Sequence, residues 1–157
     1  MNYIIRDIRD AEYKVLSDFL YEAIFIPEGA KAPSKDIINK PELQVYISDF
    51  GKHRGDYGLV AESDKKIIVA VWVRIMNDYG HVDNETPSLA IALFPEYRNH
   101  GIGTALMKSM IDLLKAEKYK QVSLSVQKEN YAVNMYRNVG FEIIDENEEE
   151  YIMLYRL

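Results

Sequence analysis

The sequence predicts one α+β (α/β three-layer) domain over residues 1–157, with a mostly antiparallel mixed sheet of about seven strands flanked by about four helices. Three observations predict this fold. Alternating or β-branched apolar residues fill seven short segments, whereas apolar residues recur with a helical period in four others. The length suits a single domain. A hydrophobic fraction of 48% beside 28% charged residues is typical of a folded globular chain.

The first half of the chain predicts a strand, two helices and a hairpin. Leu16, Phe19 and Leu20 share one face of the first helix, which ends before the helix-breaking residues 27–29. The polar residues 63–66 form a turn between two β-branched runs, as a hairpin requires. In chain order, the expected elements span residues 2–7, 11–24, 36–48, 57–62 and 67–73.

The second half predicts a strand, a helix, a strand, a helix and two final strands. The first strand alternates at Leu89, Ile91 and Leu93 and ends at Pro95, which has no N–H to donate to a ladder. Gly140 ends the last helix in a left-handed conformation. In chain order, the expected elements span residues 88–94, 104–117, 121–126, 132–139, 141–144 and 151–156.

Composition excludes several classes of function. The chain has no cysteine, so disulfides, thiolate zinc sites and a thiol nucleophile are absent, and its three histidines show no metal-binding spacing. A net charge of −6 disfavours nucleic acid and favours a cationic substrate. No apolar run reaches the ~18 residues that cross a membrane. The N-terminus lacks the pattern of a secretory signal, so we expect a cytoplasmic protein.

A glycine-containing turn precedes the helix expected at 104–117. Gly101 and Gly103 stand at alternate positions, so successive backbone N–H groups can converge at the positive end of a helix and bind a phosphate. Such a glycine pair alone is equally typical of a plain turn. A dinucleotide fingerprint would require glycine at Leu106, and a P-loop would require glycine at Met107, so both of those motifs are absent.

Two segments resemble one known family. Residues 93–106 resemble the acetyl-CoA motif of the GNAT superfamily of N-acetyltransferases, whose pattern is Gln/Arg-x-x-Gly-x-Gly/Ala after a strand. Residues 130–141 resemble the later signature of that family, which contains Asn, Ala, Tyr and Gly-Phe. The resemblance is strong from Ser88 to Phe141, and the order of elements extends it to the whole chain.

The resemblance implies a GNAT fold and a binding site for acetyl-CoA (coenzyme A). In that fold the strand ending at Leu93 splays from the strand at 121–126, and the pantetheine arm pairs with the backbone in the resulting wedge. Asn130 contacts the cofactor in relatives, although Asn is also a good N-cap here. The implied cofactor-binding residues are Leu93, Phe94, Arg98, Asn99, His100, Gly101, Ile102, Gly103, Thr104, Asn130 and Tyr136.

The resemblance also implies an acetyl transfer to a primary amine of a small molecule or peptide. Tyr136 matches the tyrosine that protonates the coenzyme A sulfur, although its helical face would also suit a core residue. Without cysteine, direct attack by the amine is expected. Many relatives carry glutamate where this chain has Ser88, so a water relay replaces a direct carboxylate base. Tyr21, Phe25 and Ser88 are the candidate substrate residues.

Alternatives stay open at this point. Because Ser88 replaces the usual carboxylate, a non-catalytic module that binds or senses acyl-CoA is the second hypothesis. A nucleotide-phosphate enzyme is a weaker third, since both phosphate motifs are absent. A homodimer through Tyr151, Met153 and Tyr155 is possible, but their alternation is equally that of a core strand.

Overall fold

The computed structural model describes residues 2–157 and contains seven strands and four α-helices. The strands are β1 Ile4–Asp7, β2 Tyr57–Ser63, β3 Lys66–Arg74, β4 Ser88–Leu93, β5 Gln121–Gln127, β6 Glu142–Glu146 and β7 Glu150–Arg156. The α-helices are α1 Leu16–Ala23, α2 Pro41–Gln44, α3 Ile102–Ala116 and α4 Ala132–Val139. Short 3-10 helices cover Asp10–Val15, Lys35–Asn39 and Pro95–Tyr97.

All seven strands form one sheet in the order β1-β2-β3-β4-β5-β7-β6. Neighbouring strands are antiparallel except β4 and β5, which are parallel. This parallel pair meets only at Ser88 and Ser123, beyond which the two strands diverge. The predicted fold class is therefore confirmed, including the splayed centre of the sheet.

Helices cover both faces of the sheet and make it the middle of three layers. On one face α3 buries Leu106, Met107, Met110 and Leu114 against the sheet, all fully buried. On the other face α1 buries residues including Phe19 in a second core cluster. Each such side chain stabilises the fold by about 1.5–3 kcal/mol relative to exposure. Because the buried residues of each helix recur with helical spacing, the hydrophobic pattern predicted both helices.

The two helices predicted in the first half are shorter than expected. The segment expected as one helix at 11–24 begins as the 3-10 helix Asp10–Val15 and becomes α-helical only at Leu16. The helix expected at 36–48 is a 3-10 turn followed by the four residues of α2. Proline at position 41 disfavours helical ψ at the preceding residue, and Lys40 has a ψ of 140°. The prediction of one continuous helix there is wrong.

Two side chains of β3 fix the irregular segment that follows α2. The Trp72 indole N–H donates to the Tyr46 carbonyl at 3.0 Å. The Arg74 guanidinium donates to the carbonyls of Val45 at 3.1 Å and Ser48 at 2.8 Å, and it forms a buried ion pair with Asp56. Because three hydrogen bonds reach them from one rigid strand, residues 45–48 are held without regular secondary structure.

The final hairpin places its apolar face in the core. Met153 is fully buried, and Tyr151 and Tyr155 pack partly buried against the same cluster. The alternation of these residues is thus that of a core strand, and a homodimer stays a prediction. Within residues 2–157, no helix combines the length and apolar character needed to span a bilayer.

Candidate functional site

A cavity of about 270 Å³ lies in the wedge where β4 and β5 diverge. Residues of both strands form two of its walls, and residues at the end of α1, in and after α2, around α4 and at the start of β7 form the rest. Its lining residues are Leu20, Ala23, Ile24, Phe25, Leu43, Tyr46, Leu89, Ala90, Ile91, Ser125, Val126, Gln127, Asn130, Tyr136 and Glu150. The divergence of the sheet therefore creates a pocket at its centre.

The strand edges facing this wedge are not paired with each other. The Ser123 N–H donates to the Pro87 carbonyl at 3.0 Å, which is the last contact before the strands separate. Because backbone groups alternate along a strand, the N–H and C=O groups of Ile91 and Leu93 point from β4 toward the gap, as those of Ser125 point from β5. An extended chain with amide groups could pair with either edge.

The glycine turn brings α3 to the edge of the wedge with an open N-terminus. Asn99 and Gly101 have φ values of 64° and 78°, so the chain turns through two left-handed residues before the helix. No side chain caps this helix, and the N–H groups of its first turn lack intrahelical partners. These N–H groups and the helix dipole favour an anion at this end.

The two glycines of the turn have different roles. A Cβ at Gly101 would meet no atom within 4 Å, but the positive φ disfavours any L side chain there. A Cβ at Gly103 would lie 3.4 Å from the Met135 sulfur and 3.5 Å from Leu93 Cδ1, which is ordinary contact. Position 103 can therefore hold alanine, whereas position 101 depends on glycine for its backbone conformation.

Arg98 is half-exposed and connects the end of β4 to α1. Its guanidinium donates to the Leu93 carbonyl at 3.3 Å and to the Glu22 carbonyl at 3.4 Å, and it lies 3.6 Å from the Glu22 carboxylate. The two hydrogen bonds and the ion pair of Arg98 are long and solvent-accessible, so they hold its side chain weakly. Asn99 and His100, which follow it, are exposed. The guanidinium can turn toward an anion at the α3 N-terminus at little cost.

Tyr136 lines the cavity from α4 and is only 9% exposed. Its ring packs against Phe141 at a centroid distance of 6.2 Å. Burial raises the pKa of the Tyr136 hydroxyl to about 12. Within residues 2–157, the Tyr136 hydroxyl is not among the fully buried polar atoms that lack a hydrogen-bond partner, and the Tyr136 side chain lines the cavity. This phenol is protonated at neutral pH and available to a ligand.

Asn130 lies just before α4 and lines the cavity. Its side-chain oxygen accepts the Ala132 N–H at 2.9 Å, which is the hydrogen bond expected of a capping residue. A contact between Asn130 and the cofactor stays a prediction.

A polar cluster that the sequence did not predict lies behind the cavity wall. The Ser88 hydroxyl donates to one oxygen of Asp78 at 3.0 Å, and the Tyr46 hydroxyl donates to the other at 3.0 Å. Burial raises the pKa of Asp78, and the two hydrogen bonds only partly offset this effect. Burial and the nearby Asp78 charge likewise raise the pKa of Tyr46.

Asp78 could have been suspected from one signal only. Ser88 begins an apolar strand and is 1% exposed, so a buried polar partner for its hydroxyl was required. Asp78 itself lies in the polar loop between β3 and β4, where nothing in the pattern separates it from its neighbours. Gly80 allows the loop to enter the wedge, because a Cβ there would lie 3.2 Å from the Ser125 nitrogen.

Only one of the two aromatic residues expected to shape the substrate pocket lines the cavity. Phe25 lines the cavity as expected. Tyr21 is not among the lining residues, and its hydroxyl instead donates to the Pro33 carbonyl. Glu150, at the start of β7, also lines the cavity, although it belongs to the acidic run 145–150 and nothing in the sequence pattern separates it from that run. Burial and the charges of Glu149 and Asp78 raise the pKa of Glu150.

The described part of the chain contains no candidate metal centre. Residues 2–157 contain no group of three or more His, Cys, Asp or Glu side chains that could hold a metal ion. The polar side chains of the cavity are instead two phenols, one hydroxyl, two amides and one carboxylate, which belong to Tyr46, Tyr136, Ser125, Gln127, Asn130 and Glu150. They are suited to hydrogen bonding and proton transfer.

Solved structures share this architecture at low sequence identity. The PaiA N-acetyltransferase of Thermoplasma acidophilum, in complex with coenzyme A, superposes with a TM-score of 0.74 at 18% identity over 100% of both chains. A phosphinothricin acetyltransferase of Sinorhizobium meliloti, in complex with acetyl-CoA, gives 0.70 at 17% identity over 100% of this chain and 89% of that one. The ribosomal-protein-S18-alanine N-acetyltransferase of Escherichia coli gives 0.68 at 17% identity, covering 99% and 94%. These likenesses show the fold.

The family is shown by the sequence itself. A search of curated proteins found no match. A family model described as "Acetyltransferase (GNAT) family" matches residues 20–141, which include the glycine turn, both strands of the wedge and Tyr136. The chain therefore belongs to the GNAT family of acetyltransferases, acyltransferases that use acetyl-CoA.

Proposed function

We propose that this protein transfers the acetyl group of acetyl-CoA to a primary amine that enters the β4–β5 cavity. One observation carries the proposal: the buried Tyr136 side chain lines the cavity between the two diverging strand edges. From this position Tyr136 would serve a thioester laid along those edges. The amine would reach the same point from the side of α1 and α2.

The residues around the wedge fit acetyl-CoA. The uncapped N-terminus of α3, with Gly101 in a left-handed conformation, would hold the pyrophosphate on backbone N–H groups from Ile102 to Thr104. Arg98, Asn99 and His100 would contact the phosphates from the exposed side of the turn. The backbone from Ile91 to Phe94 would pair with the pantetheine amides as an added strand does. When bound, acetyl-CoA supplies the acetyl group as an activated thioester.

Tyr136 would serve the departing sulfur by hydrogen bonding. A thiol has a pKa of about 8.5, whereas the pKa of Tyr136 is about 12, so complete proton transfer at equilibrium is unfavourable by roughly 5 kcal/mol. A hydrogen bond from the phenol to the developing thiolate has no such cost and strengthens as charge develops. Tyr136 therefore stabilises the leaving group and passes its proton only as the sulfur becomes basic enough.

The other polar groups of the site favour an amine as acceptor. An alkylammonium with a pKa of about 10.4 holds its proton at pH 7 by about 4.6 kcal/mol, so it must lose that proton before its nitrogen can attack. Glu150 at the cavity and Asp78 behind it supply negative charge that attracts the cation. In the balanced reaction the ammonium loses two protons, one of which ends on the thiol and one in solvent.

The acyl-CoA-sensing alternative rested on the absence of a carboxylate at position 88. The Asp78 carboxylate lies 3.0 Å from the Ser88 hydroxyl, so a carboxylate is present at that end of the site. The premise of the alternative is therefore removed. Ser88 is a partner of the carboxylate and not its replacement.

The test is release of free thiol from acetyl-CoA in the presence of a panel of primary amines. The panel contains phenethylamine, 1,4-diaminobutane, Nα-acetyl-lysine amide and glycinamide, each matched with the analogue in which every primary amine is dimethylated; for 1,4-diaminobutane this is the N,N,N′,N′-tetramethyl compound. We expect turnover with at least one primary amine and none with any dimethyl analogue, because a tertiary amine has no proton to lose after attack. Tight binding of acetyl-CoA without thiol release for any amine would contradict the proposal and support the sensing module.

A further inference from the structure

We propose that Asp78 receives the proton of the acceptor ammonium through the Tyr46 hydroxyl, with Ser88 fixing the carboxylate. This inference rests on the proposed function. Asp78 and Ser88 do not line the cavity, but Tyr46 does, so the phenol is the only member of this trio, among residues 2–157, in contact with the acceptor space. In this scheme Tyr46 is the catalytic residue, and Asp78 and Ser88 act through it.

The hydrogen bonds to Asp78 fix the direction in which a proton would move. Each oxygen of the Asp78 carboxylate accepts one hydroxyl, from Ser88 and from Tyr46, both at 3.0 Å. Because the Tyr46 proton is committed to Asp78, its oxygen acts as an acceptor on the cavity side, where the Ser125 side chain already approaches it and one further donor can bind. An ammonium N–H is such a donor. Phenols and carboxylates at hydrogen-bond distance are the groups that proton transfer requires.

The Tyr46 side chain is held for this task by its backbone. The Trp72 indole donates to the Tyr46 carbonyl, and Arg74 donates to the Val45 and Ser48 carbonyls on either side. These contacts come from β3, which is buried at both positions. Removal of the Tyr46 hydroxyl would therefore leave the ring and its backbone in place.

Proton transfer along this route is balanced. The ammonium N–H bond breaks as a new O–H bond forms on Tyr46, while the original Tyr46 O–H bond breaks and its proton joins Asp78. The nitrogen keeps its electron pair and becomes the nucleophile. Asp78 later returns the proton to solvent through the same phenol once the product has left, so no further reactant is needed.

The charges around Asp78 suit a cationic donor. Tyr46 faces it from the segment after α2, Ser88 from β4 and Glu150 from β7, and the Gly80 N–H approaches from its own loop. Within residues 2–157 no Lys or Arg forms an ion pair with Asp78, although the carboxylate is largely buried. A buried carboxylate without a cation is destabilised. An incoming ammonium would supply the missing charge.

The experiment compares two kinds of amine in Asp78→Asn, Tyr46→Phe and the unmodified protein. The probes are phenethylamine and 1,4-diaminobutane, with β,β-difluorophenethylamine and 2,2,3,3-tetrafluoro-1,4-diaminobutane as analogues in which fluorine lowers the pKa of every amine, so that each is largely neutral at pH 7.5. Asp83→Asn is the matched control, since Asp83 lies in the same loop and bonds only to Thr86 and Glu85.

We expect both variants to lower kcat/KM for the ordinary amine by about 100-fold and for the difluoro analogue by less than about fivefold, because a neutral amine needs no base. The loss should diminish as the pH approaches 10, and Asp83→Asn should behave as the unmodified protein. Equal losses for both amines, or no loss in Tyr46→Phe, would overturn the inference while leaving acetyl transfer intact. Absence of turnover by the unmodified protein would instead contradict the proposed function.

Discussion

The Ser88 hydroxyl donates to the Asp78 carboxylate across 3.0 Å, joining the first residue of β4 to the preceding loop. The hydrogen bond lowers the pKa of Asp78 against the larger, opposite effect of burial. The carboxylate at this end of the wedge therefore comes from the loop before β4 and not from β4 itself. In the relay proposed above, the strand and the loop together provide the base.

Replacement of Ser88 by alanine should move the acid limb of the pH–rate profile. Loss of the donated hydrogen bond raises the pKa of Asp78 further, so the carboxylate becomes available as a base only at higher pH. We expect the rising limb of kcat/KM to shift upward by about one pH unit, with kcat at pH 9 little changed. A limb that stays in place would show that Asp78 does not limit the reaction.

The two glycines of the turn should respond differently to alanine. Gly101→Ala forces an L side chain to a φ of 78°, at a cost of about 1–2 kcal/mol, or displaces the first N–H groups of α3. We expect an acetyl-CoA dissociation constant raised about tenfold, as loss of one charge-assisted hydrogen bond predicts. Gly103→Ala should bind normally, since its Cβ has room. Calorimetric titration of both variants with acetyl-CoA measures this, and equal affinities would contradict the role given to Gly101.

The buried ion pair behind Tyr46 should be essential to stability. Asp56 and Arg74 side chains are 0% and 3% exposed, with two hydrogen bonds between them at 3.1 and 3.0 Å. Asp56→Ala leaves the guanidinium buried without its counter-ion and should cost about 3–5 kcal/mol of unfolding free energy. Urea denaturation checks this value. The exposed pair Arg156 and Glu142 is the control, because Glu142→Ala should cost less than about 1 kcal/mol.

An ion pair near the N-terminus should make stability depend on acid pH. Hydrogen bonding by Arg6 lowers the pKa of Glu12 to about 2. A lowered pKa stabilises the fold fully above the unfolded value of about 4.3, and this contribution is lost as the pH falls through the folded pKa. Glu12→Gln should therefore lower stability at pH 7 by about 1 kcal/mol or less, and by a smaller amount at pH 3.5. The exposed Glu42→Gln should show no such difference between the two pH values.

Much of the fold followed from local patterns. The face formed by Leu106, Met110 and Leu114 predicted α3, and all three side chains are fully buried. The splay was predicted from the family resemblance, since parallel contact at Ser88 alone leaves no mark in periodicity, and the strand order was not predicted. The prediction of the second helix was wrong because Lys40 and Pro41 interrupt an apolar pattern that otherwise has helical spacing.

The site residues whose roles depend on local backbone conformation could be predicted from the sequence. Those that depend on contacts between distant segments could not. The residue types alone predict a positive φ at Gly101 and a helix-capping hydrogen bond at Asn130, and the structure contains both. Asp78 meets Tyr46 only because Trp72 and Arg74 hold residues 45–48 against β3, a contact between segments about 30 residues apart. No local pattern encodes that encounter.

The central claim, that acetyl transfer takes place beside Tyr136 in the β4–β5 cavity, is tested most directly by the turnover of Tyr136→Phe. Tyr155→Phe is its matched control, because both rings pack on Phe141 while Tyr155 does not line the cavity. With the fastest amine of the panel, we expect kcat of Tyr136→Phe to fall at least about 100-fold with acetyl-CoA affinity unchanged, and Tyr155→Phe to retain full turnover. Equal kcat values for the two variants would contradict the account.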